Sequence, residues 1–475
     1  MKKNMKKQLF FDDNGLFARN HAVRKYGKPQ LIATYSDGVC STDYCAGWVF
    51  RMDDGVYRMI YFGHGQNYKG FKAFLAESSD GVHFLPAQIN KGASDEAGTY
   101  AHEITSLTGI DEIANIYENE HYTHPNERYL ALVNYLSGEL TISDVVYTSP
   151  DLIHWTCKEG CLWGGGTEPM ACAFYNEKKK CHTVMQRPFW GIRCSGYKET
   201  SDWEHFTEYR QCLNVDTLDE RLAEIYGVPS VQNCGGTYVA LLHLYRGLES
   251  ELNAKYKNGI IDSQLAYSYD GRYWRRSLRE PFLTGTTGEY GANYPLLWTP
   301  CVRAWNDGNI YFYCSASEYE HGPAFRQPGK GMVLVMRLRA DGFISLVAES
   351  ADEPAVLATR EKVWHGGELH VNLRAKRATM AVYCSSETEN LGGNVLGISH
   401  PIEGCAHEDC VPFEGDSTDW VPRFKSGKTL DSLTGKTLVF ELRWEDGEVW
   451  SLSGNYTDVF NTQAARYRKF GVLPS

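Results

Sequence analysis

The sequence lacks any hydrophobic run long enough to cross a membrane, and it contains no Cys-x-x-Cys pair. A transmembrane helix needs about 20 apolar residues, and structural zinc sites usually draw on such cysteine pairs. Positive charge is also scarce, because 48 Lys and Arg stand against 59 Asp and Glu, giving a net charge of -11. An acidic chain is a poor match for nucleic acid or an anionic membrane surface, and we predict neither as a partner.

A secretory leader is not evident either. The first seven residues are basic, but the apolar run that follows is only Leu9-Phe10-Phe11, whereas a secretory leader carries about 7–15 apolar residues. The 14 cysteines mostly stand singly in apolar, strand-like runs, as small buried hydrophobic residues do. We therefore expect reduced thiols and a cytoplasmic protein.

Aromatic residues and glycine are abundant, with 30 Tyr, 12 Trp and 45 Gly against 17 Pro, which favours a turn-rich β protein. A motif of Ser or Thr, then Asp two residues later and an aromatic four residues after that, recurs along the chain. Its copies are Ser78–Phe84, Ser149–Trp155, Thr200–Phe206 and Ser268–Trp274, with a degenerate fifth copy at Leu338–Phe343. Each copy follows hairpin-like strand pairs, so each unit holds about four strands, as in a propeller blade. The sequence therefore predicts an all-β protein with a five-bladed β-propeller over residues 1–351.

Three further structural predictions follow from the pattern. The aspartate of each repeat is expected to cap a turn, and the aromatic residue to pack between blades, so both are structural. A short helix is predicted over Asp216–Glu224, where Leu218 and Leu222 have helical spacing. Beyond residue 351 the repeat disappears and short alternating strands remain, which predicts a β-sandwich accessory domain over residues 352–475. That domain either packs against the propeller or binds sugar.

The five repeats resemble the superfamily of five-bladed propeller glycosidases, glycoside hydrolase families 43, 32, 62 and 68. The layout is also similar to a largely uncharacterised bacterial group within it. That likeness lies in the Leu9–Asp13 entry strand, in Asp216–Gly227 with Gly235–Tyr238, and in the late runs Gly366–Asn372, Asp409–Phe413 and Gly415–Ser417. The resemblance spans nearly the whole chain and implies a glycosidase, although fold does not fix substrate.

Glycoside hydrolysis uses two carboxyl groups across the scissile bond, so carboxylates before the first strand of each blade are the candidates. Asp43 in the first blade is the candidate nucleophile or general base, although Asn, Pro and a second Asn of the invertase-type Asn-Asp-Pro-Asn-Gly strand are missing. The resemblance implies an acid from the third blade, and Glu168 fits that role. Glu103 is the candidate third acid in the second blade, where the family usually has Asp, with Asp111 as its rival.

Other polar and aromatic residues before or within the blade strands are candidates for substrate binding. They are His64, His102, Gln186, Arg187, Trp190, Asp219, Glu224, His243 and Trp298, with Arg246 and Tyr294 as further candidates. Trp190 and Trp298 are candidate platforms for stacking a sugar ring.

The favoured function is hydrolysis of a small oligosaccharide or glycoside, perhaps a furanoside, by carboxylate acid and base catalysis. Two alternatives stay open: a non-catalytic carbohydrate-binding propeller, and a metal-dependent sugar-modifying hydrolase such as a deacetylase, with His64, His102, His243 and Asp43 as ligands. A sialidase fits less well, because it has six blades. We predict a carbohydrate substrate and no cofactor, while a structural divalent cation at the propeller axis and a homo-oligomer stay open.

Overall fold

The computed structural model describes residues 5–40, 47–64, 71–90, 99–107, 110, 112–137, 141–163, 171–188, 193–247, 259–321, 330–384, 389–390, 396–397 and 400–459. Within these ranges the regular structure is β-strand, apart from short 3-10 helices at Thr105–Leu107, Pro125–Glu127 and Leu430–Leu433. The all-β prediction is confirmed.

The chain divides into two compact units. Unit 1 contains residues 1–27, 234–237 and 340–475, and unit 2 contains residues 28–233 and 238–339. The first four strands are β1 (Lys6–Leu9), β2 (Leu16–Asn20), β3 (Ala22–Tyr26) and β4 (Gln30–Tyr35). Of these, β1 to β3 belong to unit 1 and β4 to unit 2.

Unit 2 is built from five antiparallel groups of strands, named sets I to V. Set I comprises β5 (Gly47–Arg51), β6 (Tyr57–His64), β7 (Phe71–Ser78) and β8 (Leu85–Pro86). Set II comprises β9 (Glu112–Glu118), β10 (Tyr129–Ser137), β11 (Thr141–Ser149) and β12 (Thr156–Leu162). Set III comprises β13 (Cys172–Asn176), β14 (Cys181–Gln186), β15 (Ser195–Thr200) and β16 (Arg210–Leu213). Set IV comprises β17 (Ala223–Cys234), β18 (Thr237–Gly247), β19 (Gly259–Ser268) and β20 (Arg275–Arg276). Set V begins with β21 (Leu296–Ala304), β22 (Ile310–Ser317) and β23 (Met332–Leu338).

Set V is completed by a strand from the other end of the chain. β4 pairs antiparallel with β23, and Thr34 lies opposite Leu334 in the register. Sets IV and V are joined into one eight-stranded sheet by a single parallel pair, Ile261 with Leu296. Five groups of four strands result, and the fourth strand of the last group precedes all the others in the sequence.

The central strands of these sets are long and apolar because they are covered on both faces. Every residue of β22 is buried, as are the first nine residues of β18. By contrast, the fourth strands β8 and β20 have only two residues each. Short outer strands limit the exposed edge that could pair with another chain.

Each of the four complete copies of the motif forms the turn between the third and fourth strand of its set. In set I the Asp80 carboxylate accepts backbone N–H bonds from Val82 and His83, at 2.8 Å each, and Ser78 Oγ accepts from Gly81 N. The same bonds recur around Asp151, Asp202 and Asp270. The predicted capping role of these aspartates is confirmed.

Unit 1 contains the remaining strands, which share one hydrogen-bonded sheet except for the separate pair β28 and β29. They are β24 (Ile344–Ala348), β25 (Ala355–Thr359), β26 (Lys362–Trp364), β27 (His370–Cys384), β28 (Glu389–Asn390), β29 (Leu396–Gly397), β30 (Phe413–Trp420), β31 (Thr437–Gly454) and β32 (Tyr456–Asp458). β31 is the hub of the sheet, because it pairs with β1, β24, β25, β26 and β27. Its buried side chains, including Trp444 and Leu452, join those of β27 in the core of the unit.

One feature differs from the sequence-based expectations. The segment predicted as a helix, Asp216–Glu224, forms two successive turns, in which Asp219 N bonds Asp216 O and Ala223 N bonds Glu220 O. Leu218 is 71% exposed there, so no apolar face stabilises a helix, and β17 begins at Ala223. The division of the chain between the two units follows the strand pairing, because β1 pairs with β31 and β3 with β24 within unit 1.

Candidate functional site

The first strands of all five sets line one cavity of about 430 Å³. Its walls are formed by Trp48 of β5, Asn115–Glu118 of β9, Cys172–Tyr175 of β13, Pro229–Asn233 of β17, and Pro300 with Arg303–Ala304 of β21. The five sets therefore present equivalent strands to a shared space. The amino ends of these strands, where the sequence places its catalytic candidates, adjoin two clusters of polar and aromatic side chains.

The first cluster surrounds the ring of Tyr226, at the start of β17. The guanidinium carbons of Arg187 and Arg193 lie 4.8 and 5.2 Å from the centre of this ring. Arg193 also lies 5.1 Å from the ring of Tyr245 and donates a 2.6 Å bond to the Glu224 carboxylate. Cations over tyrosine faces are stabilised by the ring quadrupole. The structure thus brings together Arg187 and Glu224, both predicted, with Tyr226, Tyr245 and Arg193, which the sequence analysis missed.

Trp298 and His243 pack against the same tyrosine cluster. The ring of Trp298 lies 4.9 Å from that of Tyr226 and 5.7 Å from that of His243. Trp298 is only 2% exposed, so it packs in the core of the cluster and does not offer an open face for stacking. His243 Nε2 accepts a 3.0 Å bond from Thr299 N, and burial lowers the pKa of His243 to about 3. His243 is therefore neutral and already engaged through Nε2.

The second cluster contains Glu103 and His102 beside set I. Glu103 is buried and its carboxylate lies 2.7 Å from the equally buried ammonium of Lys72, while it also accepts a bond from Tyr100 N. Removing either charge would leave the other uncompensated in a low-dielectric environment. The carboxylate of Glu103 is thus committed to Lys72, and a part in catalysis stays a prediction.

His102 belongs to a hydrogen-bonded chain centred on Asp37, which the sequence analysis did not select. Asp37 Oδ2 lies 3.2 Å from His102 Nε2 and accepts a 2.9 Å bond from Tyr61. Asp37 Oδ1 accepts backbone bonds from Val39 and Cys40. Burial alone would raise the pKa of Asp37, but these bonds outweigh it and lower the pKa to about 2. Asp37 is therefore an ionised, buried acceptor at the end of β4.

Two predicted binding residues lie in other surroundings. Asp219 is bound by the guanidinium of Arg276, at 2.6 and 2.7 Å, and by Arg279, and it serves the turns before β17. Gln186 is 3% exposed at the end of β14, and its Oε1 has no hydrogen-bond partner among the described residues. Of the further candidates, Arg246 forms ion pairs with Glu220 and Asp262, and Tyr294 is buried and donates to Met332 Sδ.

Several predicted residues cannot be placed. Asp43, Asp111, Glu168 and Trp190 lie outside the described residues, and so does the side chain of His64. In the described part of the chain, no group of three or more His, Cys, Asp and Glu side chains is arranged to hold a metal ion. No helix in that same part has the length and apolar character needed to span a membrane.

Comparison with known proteins finds likeness to solved structures at low identity. No protein-family model matches the sequence, and no curated protein matches it either. A glycosyl hydrolase from Bacteroides ovatus is similar at a TM-score of 0.41 and 13% identity, over 66% of this chain and 94% of that one. An N-acetylgalactosamine deacetylase from F. plautii is similar at 0.40 and 12%, over 68% and 96%. At this level the likeness establishes neither the fold nor the activity of the chain.

Proposed function

We propose that unit 2 is a five-bladed β-propeller that hydrolyses a glycosidic bond in a small oligosaccharide or glycoside, related to the glycoside hydrolase families named above. The observation that carries the proposal is the set of five four-stranded groups whose first strands line one cavity. In a propeller the amino ends of these strands converge at one end of the axis, so each blade can contribute side chains to a shared pocket there, next to the cavity. In this proposal the unit 1 sheet forms an accessory β-sandwich.

The proposed site combines the Tyr226 cluster with two carboxyl groups, one from the first blade and one from the third. Glu168 is proposed as the general acid and Asp43 as the nucleophile or general base, since hydrolysis needs one protonated and one ionised carboxyl group. Around them Arg187, Arg193 and Glu224 supply donors and an acceptor for sugar hydroxyls. The ring of Tyr226 holds the guanidinium groups of Arg187 and Arg193 in place through cation–π contacts.

Turnover of a panel of nitrophenyl glycosides, including furanosides, and of natural oligosaccharides tests this proposal. Because nitrophenolate leaves without much acid assistance, Glu168→Gln should reduce kcat mainly on the natural oligosaccharide, by about 10²–10⁴-fold. Asp43→Asn should reduce turnover of both substrate types. Glu208→Gln, at an exposed position, is the control and should leave both rates unchanged. Equal rates for wild type and Glu168→Gln on an oligosaccharide would remove Glu168 from the mechanism.

A second candidate function is sugar binding without hydrolysis. The buried pair of Glu103 with Lys72 favours it, because the acid predicted to tune the other two carboxyls is occupied. In that case a monosaccharide or oligosaccharide should bind in calorimetry while no glycoside is cleaved. Metal-dependent deacetylation is less favoured, since His102 bonds Asp37 and His243 bonds Thr299.

A further inference from the structure

The cavity between the five first strands lies at some distance from the Tyr226 cluster. Its lining on β17 runs from Pro229 to Asn233, whereas Tyr226 stands near the start of that strand. At about 3.3 Å per residue, this part of the lining lies roughly 10–23 Å along the strand from Tyr226. On β9 the lining likewise includes the last residue, Glu118. On β9 and β17 the lining therefore lies in the carboxyl-terminal half of the strand, beyond the Tyr226 cluster.

Aromatic rings and hydrogen-bonding groups alternate on the walls of this cavity. The rings of His121 and Tyr175 stack with their centres 3.7 Å apart, and both residues line the cavity, as does Trp305. Carboxylates, amides and hydroxyls stand between them, including Glu118 and Gln232. A cavity of about 430 Å³ falls within the size range of small-molecule sites.

The charges around the cavity largely compensate one another. Glu118 faces Arg303 and lies 3.7 Å from a guanidinium nitrogen of Arg128. Glu177 forms a 2.9 Å ion pair with Lys180. Burial raises the pKa of Glu118 against the opposing effect of these arginines. A strongly charged ligand would disturb this balance, whereas a neutral ligand with hydroxyl groups would not.

Two further side chains that line the cavity differ in their hydrogen bonding: the Arg303 guanidinium donates to backbone carbonyls, whereas the Trp48 indole N–H has no acceptor among the described residues. Arg303 donates to the carbonyl oxygens of Val49 and Val302 and stacks over Phe50 at 4.9 Å. Trp48 lines the cavity and is 2% exposed, and its indole N–H has no hydrogen-bond partner among the described residues. A buried donor without an acceptor costs about 1–3 kcal/mol, so a ligand oxygen that accepts from it would gain affinity.

We propose that this cavity is a second binding site, separate from the hydrolytic site, for a neutral polyhydroxylated ligand the size of a monosaccharide or disaccharide. The Tyr175 and His121 rings supply the apolar surface for one face of the ligand. The Glu118 carboxylate accepts from its hydroxyl groups, and the Trp48 indole N–H donates to one of its oxygens. This site does not depend on the proposed hydrolysis.

Calorimetric titration of the full chain with glucose, galactose, mannose, xylose, arabinose and spermidine tests the proposal. At least one neutral sugar should bind, and spermidine should not. Trp48→Phe and Glu118→Gln should each weaken that binding roughly fivefold, the loss of about one hydrogen bond. Trp163→Phe is the matched control, because Trp163 is also buried with an unpartnered indole N–H but does not line the cavity.

Three results would overturn the proposal: no sugar binds at millimolar concentration, only spermidine binds, or the affinities of Trp48→Phe and Glu118→Gln equal that of wild type. Thermal unfolding of each variant identifies a protein that has simply lost its fold. If Trp48→Phe loses its fold, the sugar affinity of Glu118→Gln alone tests the proposal. Glycoside turnover is measured on the same samples and should be unchanged in Trp48→Phe. Binding without any turnover would reject the hydrolytic function and leave this second site in place.

Discussion

Glu103 forms a buried ion pair with Lys72, which is a structural role, whereas the sequence predicts a catalytic role for the same residue. Both side chains are nearly inaccessible, with relative exposures of 4% and 8%. A carboxylate in that setting stabilises the ammonium that it neutralises, and the reverse holds as well. A carboxylate that shifts the pKa of a second acid must lie close to that acid. In the described part of the chain, the Glu103 carboxylate bonds to Lys72 Nζ and to Tyr100 N.

We expect Glu103→Gln to lower the free energy of unfolding by about 3–5 kcal/mol, because it leaves the Lys72 ammonium buried without a counter-ion. Urea denaturation followed by tryptophan fluorescence measures this change. The double variant Lys72→Met with Glu103→Leu, which removes both charges, should recover most of the loss. If Glu103→Gln is as stable as wild type but inactive, the third-acid role predicted from the sequence is correct.

The sequence predicts polar residues beside strands but not their partners in space. Arg187 lies against the ring of Tyr226, and Glu224 accepts a hydrogen bond from Arg193. Asp37 is not among the predicted residues, although Ser36-Asp37-Gly38 directly after a strand is a turn signal. The burial of Trp298 cannot be read from an isolated tryptophan. Partners in space depend on pairing between distant strands, which no local pattern encodes.

At the scale of the element, the repeated turn is the best-determined feature of the chain. Residues directly after the capping aspartate adopt a left-handed conformation, with φ of 74° at Gly81 and Gly271. Leu152 and Trp203 adopt the same conformation at 70° and 63°, where a side chain is strained. The turns persist without glycine because the aspartate accepts two backbone N–H bonds in each copy.

These turns make stability depend on pH. Hydrogen bonds outweigh the opposing effect of burial and lower the pKa of Asp80, Asp151 and Asp270, and Asp202 is lowered chiefly by the bonds from His205. The unfolded chain then binds protons more readily than the folded one. The contribution of these groups is complete above an unfolded pKa of about 4 and is lost as the pH falls through the lower folded values.

We therefore expect the urea midpoint to fall steadily as the pH is lowered from 5 toward 2. Asp270→Asn keeps an acceptor oxygen but cannot titrate, so it should be less stable at pH 7 and show a shallower fall below pH 4. The exposed Asp352→Asn serves as the control for the loss of one charge. A midpoint that is independent of pH below 5 would contradict the account of the turns.

At the scale of the whole molecule, β4 pairs with β23, a strand from the other end of unit 2. The repeat predicts five units of about four strands, and the described part of unit 2 contains three four-stranded sheets and one eight-stranded sheet that ends in β4. The degenerate fifth motif has its own explanation, because β23 pairs with β4 and the chain continues from Asp341 into unit 1 instead of forming an outer strand. Periodicity could not reveal this, since β4 carries no copy of the motif. The strands β1 to β3 also carry no copy of the motif, so the repeat does not show that they belong to unit 1.

A disulfide between β4 and β23 tests the pairing of these two strands. Gln30 and Arg337 lie directly opposite each other on β4 and β23, and both are exposed. We expect the double variant Gln30→Cys with Arg337→Cys to form a disulfide that raises the free energy of unfolding by about 2–4 kcal/mol. Urea denaturation with and without a reducing agent measures the gain. The single variants, oxidised under the same conditions, should show none, and failure of the double variant to cross-link would contradict the pairing.

Because β4 pairs with a strand near the other end of unit 2, it cannot form its native hydrogen bonds until that strand has been synthesised. Ser36, just after β4, donates a hydrogen bond to the carbonyl of Gly331, a residue made 295 positions later. At about 5–20 residues per second a ribosome needs roughly 15–60 s to span that interval. Throughout that time the strand's backbone groups have no native partner. Nascent chains of this protein should therefore be substrates for ribosome-associated chaperones until the final set emerges.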